Sequence, residues 1–198
     1  PWWKIDNYSD ASTIPEQLSD ETLHGPLGPA LVAVYGDGKT TVGWGREQFE
    51  RHYKAGVFKQ EKILKEASRG TQAYAWVTRG SRLLVIDIDG KNGGFDGVKE
   101  LGFLRPTLAE RSKSGNGFHL FYSMSDDWDP KFGFEALSDV IGLVPGVDVR
   151  TTGCVYHYPQ QRWNSRGLIE LPAHLDNLLV GRKVRFEASR LKIKKTLQ

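Results

Sequence analysis

Hydrophobic and polar residues alternate in short runs through the second half of the chain. The segments Leu83 to Asp89 (LLVIDID) and Gly146 to Arg150 (GVDVR) each place apolar side chains on one face of a strand and acids on the other. Further strands are predicted at 30–35, 73–78, 107–113, 118–124 and 154–158. We expect the strands at 73–78 and 83–89 to be neighbours, because only a short turn at Gly80 and Ser81 separates them.

Helices are predicted between these strands. Apolar residues at near-helical spacing predict two helices within 46–70, and shorter helices are expected at 95–101, 134–140 and 172–179, the last beginning at its proline. Strands and helices that do not alternate regularly indicate an α+β fold with a mainly antiparallel mixed sheet. We expect helices to flank this sheet and the N-terminal portion to be α/β.

Charge divides the chain into a body and a tail. The 198 residues include 27 basic and 24 acidic side chains, for a net charge of +3, yet residues 181–198 carry seven basic side chains against Glu187 alone. We therefore expect one domain at 1–180 and a basic tail at 181–198. This tail either binds phosphate or is a solvated linker to a further module.

Composition excludes several classes of protein. Hydrophobic residues make up 39% of the chain and charged residues 26%, which is typical of a soluble globular protein. The single cysteine, Cys154, permits neither an internal disulfide nor a cysteine-based metal cage. No apolar run approaches the roughly 20 residues of a membrane span, and the start at Pro1 has no features of a secretory signal. A cytoplasmic part of a longer protein is expected.

Two acids at the end of the 83–89 strand are the first candidates for chemistry. Strand alternation places Asp87 and Asp89 on one face, with Ile86 and Ile88 on the other. Neighbouring carboxylates repel each other, and a divalent cation with oxygen ligands, such as Mg²⁺ or Mn²⁺, offsets that cost. The alternative is a strand that ends at the surface with both acids in solvent.

The second candidate segment is a turn of small residues followed by a histidine. Ser114, Gly115, Asn116 and Gly117 allow close approach of the backbone to an anion, and the next strand presents His119. Hydroxyl and backbone N–H groups there can donate to phosphate oxygens. The simpler interpretation is an ordinary turn and a structural histidine.

The third candidate segment is the later acidic and basic pair. Val147 and Val149 are expected to face inward, with Asp148 and Arg150 together on the opposite face. Beside the first acids, Asp148 would be a third carboxylate for a two-metal site, and Arg150 would neutralise phosphate charge. Otherwise the two form a surface salt bridge, which contributes little.

In this order, the three segments resemble the archaeo-eukaryotic primase superfamily, specifically the primase-polymerase domains of phage and plasmid replication proteins. In that family a D-x-D strand, a small-residue loop ending in histidine and a later Asp-x-Arg strand build one active site. The resemblance covers about residues 70–170 and implies an RRM-like catalytic core. It assigns the metal and catalytic role to Asp87, Asp89 and Asp148, and nucleotide binding to Ser114, Gly115, Gly117, His119 and Arg150.

The resemblance implies template-directed nucleotidyl transfer. The expected substrates are NTP or dNTP on a single-stranded DNA template, with Mg²⁺ or Mn²⁺ as cofactor, in phage or plasmid DNA replication. A fused or associated helicase is a further expected partner, no membrane is involved, and a viral protein would act in the host cytoplasm. Arg162, Trp163 and Arg166 can track a nucleic-acid strand by charge and stacking, although core packing is favoured for Trp163.

Three alternatives remain open at this point. A haloacid-dehalogenase-like phosphatase would use Asp87 as nucleophile and Asp89 as general acid, but it leaves His119 and Asp148 without a role. A D-x-D sugar-nucleotide transferase has the same metal chemistry and no use for Asp148 with Arg150. A non-catalytic nucleic-acid-binding module predicts a basic surface, whereas residues 1–180 are slightly acidic.

Overall fold

The computed structural model describes about half of the chain. The described residues are 1–4, 8–10, 31–35, 40–41, 51, 74–78, 81–124, 139–151, 154–157 and 162–179. The helices predicted at 46–70 and 134–140 and the basic tail lie outside the described residues, apart from Arg51, Asp139 and Val140. Val140 is the first residue of a strand and not the end of a helix.

Within these ranges the chain forms short helices and mostly short strands. The strands are β1 (Tyr8–Asp10), β2 (Leu31–Tyr35), β3 (Thr40–Thr41), β4 (Tyr74–Val77), β5 (Leu83–Asp89), β6 (Ala109–Arg111), β7 (Gly117–Ser123), β8 (Val140–Val144), β9 (Val147–Arg150), β10 (Cys154–His157), β11 (Arg162–Asn164) and β12 (Ile169–Glu170). The α-helices are α1 (Gly94–Gly97) and α2 (173–179), and 3-10 helices cover Trp2–Lys4, Gly90–Asn92 and Val98–Leu101. No helix among the described residues is long and apolar enough to cross a membrane.

A mainly antiparallel sheet forms the centre of the structure. Its strand order is β1-β11-β6-β7-β5-β9-β8, and every neighbouring pair in that order is antiparallel. Strand β12 pairs with β7 in parallel beyond the end of β6. The α+β fold predicted from the sequence is therefore confirmed, and the strands predicted at 107–113 and 118–124 pair as the β6–β7 hairpin.

A second sheet of four strands has the order β10-β4-β2-β3. The prediction that β4 and β5 are neighbours is wrong, because both sides of β5 are taken by β7 and β9. A turn between Thr78 and Leu83 instead takes the chain from one sheet to the other. Ser81 stabilises this turn: its N–H and its hydroxyl both donate to the Thr78 carbonyl, and its hydroxyl accepts from the Leu83 N–H.

One face of the central sheet supplies the main hydrophobic core. The alternate residues Ile86, Leu120 and Val149 from three adjacent strands are buried there against Leu101 and Leu175 from the helical segments. Because side chains alternate along a strand, the residues between them lie on the opposite face. Asp87, His119 and Asp148 are on that second face.

A close backbone contact fixes the β8–β9 turn against the chain that follows β5. The Asp89 N–H donates to the Gly146 carbonyl at 2.8 Å. Gly146 has φ +67°, and a Cβ there would meet the Gly94 nitrogen at 2.3 Å and the Asn92 carbonyl oxygen at 2.5 Å. Only glycine fits this position. The contact that it allows holds the acids of β5 and β9 at the same end of the sheet.

We predict that Gly146→Ala destabilises the fold more than Gly93→Ala does. Gly93 has φ +84°, and a Cβ added to it would have no atom within 4 Å, so alanine there meets only backbone strain of about 1–2 kcal/mol. Alanine at Gly146 adds overpacking of about 1–3 kcal/mol. Denaturant unfolding of both variants measures the difference, and equal losses in the free energy of unfolding would contradict the close contact.

Candidate active site

Adjacent strands of the central sheet contribute one residue each to a single row. Asp87 on β5 lies directly opposite Asp148 on β9 and His119 on β7, and the row continues through Glu110 on β6 to Trp163 on β11. The hydrogen-bonded register therefore brings together residues from all three sequence segments singled out above. Asp89 and Arg150 share this face, two positions further along their strands.

A cavity of about 600 Å³ opens at the Asp87 and Asp148 end of the row. It is lined by Asp87, Ile88, Asp89, Lys91, Asn92, Ser112, Ser114, Asn116, Gly117, Ile141, Gly142, Gly146, Asp148 and Arg150. Six of the eight predicted site residues are in this lining. The other two, Gly115 and His119, lie next to it, one beside Ser114 in the turn and one beside Asp87 in the sheet.

The guanidinium group of Arg150 faces three carboxylates. Its Nη2 lies 2.8 Å from Asp148 Oδ2 and 3.7 Å from Asp87 Oδ2, and its Nη1 lies 3.7 Å from Asp139 Oδ2. Asp148 Oδ1 also accepts the Gly142 N–H at 2.8 Å. Arg150 thus offsets the repulsion between Asp87 and Asp148, and it belongs to a group of charges at the cavity rather than to an isolated ion pair.

Asp89 is held by the chain that follows it. Its Oδ1 accepts the Lys91 N–H at 3.0 Å and its Oδ2 accepts the Asn92 side-chain amide at 2.7 Å, so it caps the 3-10 helix Gly90–Asn92. This local bonding fixes the side chain at the edge of the cavity. An ionised carboxylate has lone pairs left after two such bonds and can accept a further partner.

The carboxylates suit a hard divalent cation by their chemistry. Among the described residues, no group of three or more His, Cys, Asp and Glu side chains is arranged as a preformed metal cluster. Asp87 and Asp148 nevertheless stand side by side at the cavity, and Asp89 is in the same lining. Oxygen donors of this kind are what Mg²⁺ and Mn²⁺ prefer. The residues present therefore fit such an ion.

The β6–β7 turn supplies small polar groups to the cavity, beside the Asp89 end of β5. The Ser112 N–H donates to the Gly117 carbonyl at 2.8 Å, which closes a turn over residues 113–116. The Ser112 and Ser114 hydroxyl oxygens are 3.4 Å apart, and Gly115 has φ +73°. These hydroxyls, together with Lys91 in the same lining, form a surface that can bind an anion.

His119 is buried behind Asp87, with its side chain 11% exposed. Its Nδ1 lies 2.8 Å from Glu110 Oε2 and its Nε2 lies 3.6 Å from Asp87 Oδ1. Burial opposes the charged imidazolium, but the hydrogen bond and charge of Glu110, with the charge of Asp87, raise the pKa of His119 above its ordinary value.

Glu110 itself is fully buried and meets a second histidine, His157, through its other oxygen. Burial opposes the carboxylate form, yet the charges and hydrogen bonds of His157 and His119 lower the pKa of Glu110. Neither Glu110 nor His157 was singled out by the sequence analysis. The signal in the sequence for Glu110 was an acid inside the strand predicted at 107–113, shortly before the turn that leads to His119.

Trp163 is part of the core, as favoured from the sequence. It is 2% exposed, and its ring centroid lies 5.4 Å from that of Phe121 and 5.3 Å from that of His157. This tryptophan therefore packs between protein rings and offers no face for a nucleic-acid base. Arg162 and Arg166 are exposed on either side of it along the chain.

Comparison with known proteins adds an independent finding. Residues 23–171 match the family described as bifunctional DNA primase/polymerase, N-terminal. A search of curated proteins finds no match. The matched range contains the D-x-D strand, the small-residue turn with its histidine, and the Asp-x-Arg strand, and it covers well over half of the chain. The chain therefore belongs to the family of bifunctional DNA primase/polymerase N-terminal domains.

Proposed function

We propose that this chain catalyses template-directed nucleotidyl transfer, adding nucleotides from NTP or dNTP to a growing strand on single-stranded DNA. One observation carries the proposal: Asp148, Asp87 and His119 stand side by side on three adjacent strands, with the two acids in the lining of one polar cavity and His119 next to it. Membership of the primase/polymerase family implies an enzyme of the nucleotidyltransferase type. The roles of the individual residues are part of this proposal.

Asp87, Asp148 and Asp89 would hold the divalent cations, Mg²⁺ or Mn²⁺. Such ions, when bound, neutralise the triphosphate and lower the pKa of the attacking 3′-hydroxyl. The protein's own part is to keep the carboxylates close together before any ion arrives. Arg150 does this by its contacts to both Asp148 and Asp87, which reduce their mutual repulsion.

The remaining polar groups of the cavity suit the phosphates of the nucleotide. Ser114, and the backbone around Gly115 and Gly117, lie beside the Asp89 end of β5 and can donate hydrogen bonds. Lys91 adds a positive charge in the same lining. His119 presents Nε2, the ring nitrogen that is not bonded to Glu110, on the Asp87 side, where a phosphate held beside Asp87 would be within reach.

The geometry favours this function over the alternatives. A phosphatase that uses Asp87 as its nucleophile gives no role to Asp148, which lies directly opposite it, or to the guanidinium that contacts both. A binding module without catalysis gives no reason for gathering carboxylates at a cavity where they repel a nucleic-acid backbone. From the family resemblance we further propose a place in phage or plasmid replication, beside a fused or associated helicase.

Asp87→Asn is expected to abolish most activity while preserving the fold, because the amide keeps the shape and removes the charge. We expect incorporation of labelled nucleotides on primed single-stranded DNA to fall at least about a hundredfold, equivalent to roughly 2.7 kcal/mol. Asp96→Asn is the control, since Asp96 is an exposed acid whose partner is Lys99. Activity of Asp87→Asn equal to that of the control would overturn the proposal.

Metal binding by the acids can be tested without activity. Electron paramagnetic resonance of free Mn²⁺ measures how much of the ion is bound. We expect Mn²⁺ to bind the wild-type protein, and to bind Asp87→Asn/Asp148→Asn at least about tenfold more weakly, because two charged oxygen ligands are lost. The Asp96→Asn variant should match the wild type. Equal Mn²⁺ affinity in the double variant would exclude these residues as the ligands.

His119→Ala is expected to raise the KM for the incoming nucleotide about tenfold or more, the usual loss for a hydrogen bond to a charged group. Steady-state kinetics with varied nucleotide concentration give KM and kcat separately. Binding of single-stranded DNA, measured by fluorescence anisotropy, should not change. Unaltered KM and kcat would exclude a triphosphate contact by His119.

A further inference from the structure

A fully buried carboxylate stands behind His119. Glu110 has no solvent-exposed surface, and it does not line the cavity. Taking an ionised carboxylate out of water costs several kcal/mol unless hydrogen bonds satisfy it. Both oxygens of Glu110 are satisfied: Oε2 by Nδ1 of His119 at 2.8 Å, and Oε1 by Nδ1 of His157.

This arrangement fixes which nitrogen of each ring carries a proton. An ionised carboxylate only accepts hydrogen bonds, so Nδ1 of His119 and Nδ1 of His157 must both donate to Glu110. The hydrogen bond also fixes the rotation of the His119 ring. Its Nε2 then points to the Asp87 side of the site, 3.6 Å from Asp87 Oδ1. A carboxylate that orients a functional imidazole in this way is common in metal sites and catalytic triads.

His157 keeps the Glu110 carboxylate itself from turning. It lies on β10, in the second sheet, and is 1% exposed. Its ring packs against Trp163, which packs in turn against Phe121. A rotation of the Glu110 carboxylate away from His119 would also break the bond to His157, so the two histidines hold it from two sides.

We propose that Glu110, braced by His157, is a positioning residue for nucleotidyl transfer that holds the His119 imidazole with Nε2 toward the nucleotide triphosphate. The proposal rests on the proposed function for its substrate, and Glu110 itself contacts no reacting atom. A core that served stability alone would gain from apolar side chains in place of a buried charge with two partners. This charge is instead separated from the acids of the cavity by a single strand, β7, which carries His119.

The orientation of His119 can be measured in the unmodified protein. In protein labelled with ¹⁵N-histidine, we expect the Nδ1–H protons of His119 and His157 to be visible as slowly exchanging NMR signals, because both are buried and bonded to Glu110. In Glu110→Gln at least one of these signals should be lost, since a glutamine amide has one accepting oxygen where glutamate has two. A wild-type His119 that carries no Nδ1 proton would overturn the proposal.

A double-mutant cycle separates positioning from general stability. Glu110→Gln alone is expected to raise the KM for the nucleotide about tenfold, with a smaller change in kcat. The reason is that a misaligned His119 loses its hydrogen bond to the charged triphosphate. In the His119→Ala background the same change should have almost no further effect on KM, because its target is gone. Independent, additive effects of the two changes would show that Glu110 does not act through His119.

The controls keep this proposal distinct from the function itself. Asp96→Asn removes one acidic charge at an exposed ion pair and should leave nucleotide KM and the histidine signals unchanged. The same double-mutant cycle can be measured as nucleotide dissociation constants, in the presence of Mn²⁺ but without template. If the wild type binds nucleotide but polymerises nothing, the proposed nucleotidyl transfer is wrong, and the binding cycle still tests whether Glu110 acts through His119. If it polymerises and the cycle is additive, only the role of Glu110 fails.

Discussion

Strand β5 lies between β7 and β9, and its hydrogen bonds to these two neighbours determine where the side chains of the site stand. The register sets Asp87 opposite His119 on one side and Asp148 on the other. A shift of one residue in either pairing would turn these groups into the core and bring apolar residues to the cavity. The buried isoleucines and valines on the other face therefore stabilise the same register that the proposed chemistry requires.

The site concentrates charge at a high local cost, and the fold offsets it by pairing. Arg150 faces three carboxylates on the cavity side, and two histidines share the carboxylate of Glu110 in the interior. The first group is partly exposed, so solvent and a bound ion can both exchange with it. The second is closed to water and behaves as fixed structure. The exposed charges around Arg150 can therefore adapt to a ligand, whereas the buried charges around Glu110 are fixed in place.

Much of the site follows from alternation along single strands. The paired faces of Asp87 with Asp89, and of Asp148 with Arg150, need only the period of two, and the β6–β7 hairpin follows from its turn residues. The predicted turn at 114–117 is one residue late, and it would put Ser112 opposite His119. The observed turn at 113–116 puts Glu110 there instead. Register depends on turn geometry, and one residue decides whether this partner is visible in the sequence.

Other features depend on packing that no local pattern contains. The neighbouring positions of β4 and β5 in the sequence suggest pairing, yet Ser81 and Thr78 turn the chain into a different sheet. His157 meets Glu110 only because β10 of the second sheet lies against this face of the first. In the first case, proximity in the sequence wrongly suggests a contact. In the second, a contact joins residues that are far apart in the sequence, so the sequence does not reveal it. The proposed polymerase reaction and the proposed roles of individual residues depend on the family resemblance, and no local pattern in the chain specifies them.

The contact between Glu110 and His157 spans 47 positions of the chain, and it joins the two sheets at the site. Contacts between distant segments form late in folding, because the loop between them must first be closed. The residues around Asp87 and His119 can pair early, within nearby strands, but the ring that braces Glu110 arrives only when β10 docks. Asp148 is separated from Asp87 by an even longer stretch of chain than His157 is from Glu110, so the acid pair and the aligned histidine would both be completed late. Competence for catalysis would arise at the end of folding rather than with the first sheet.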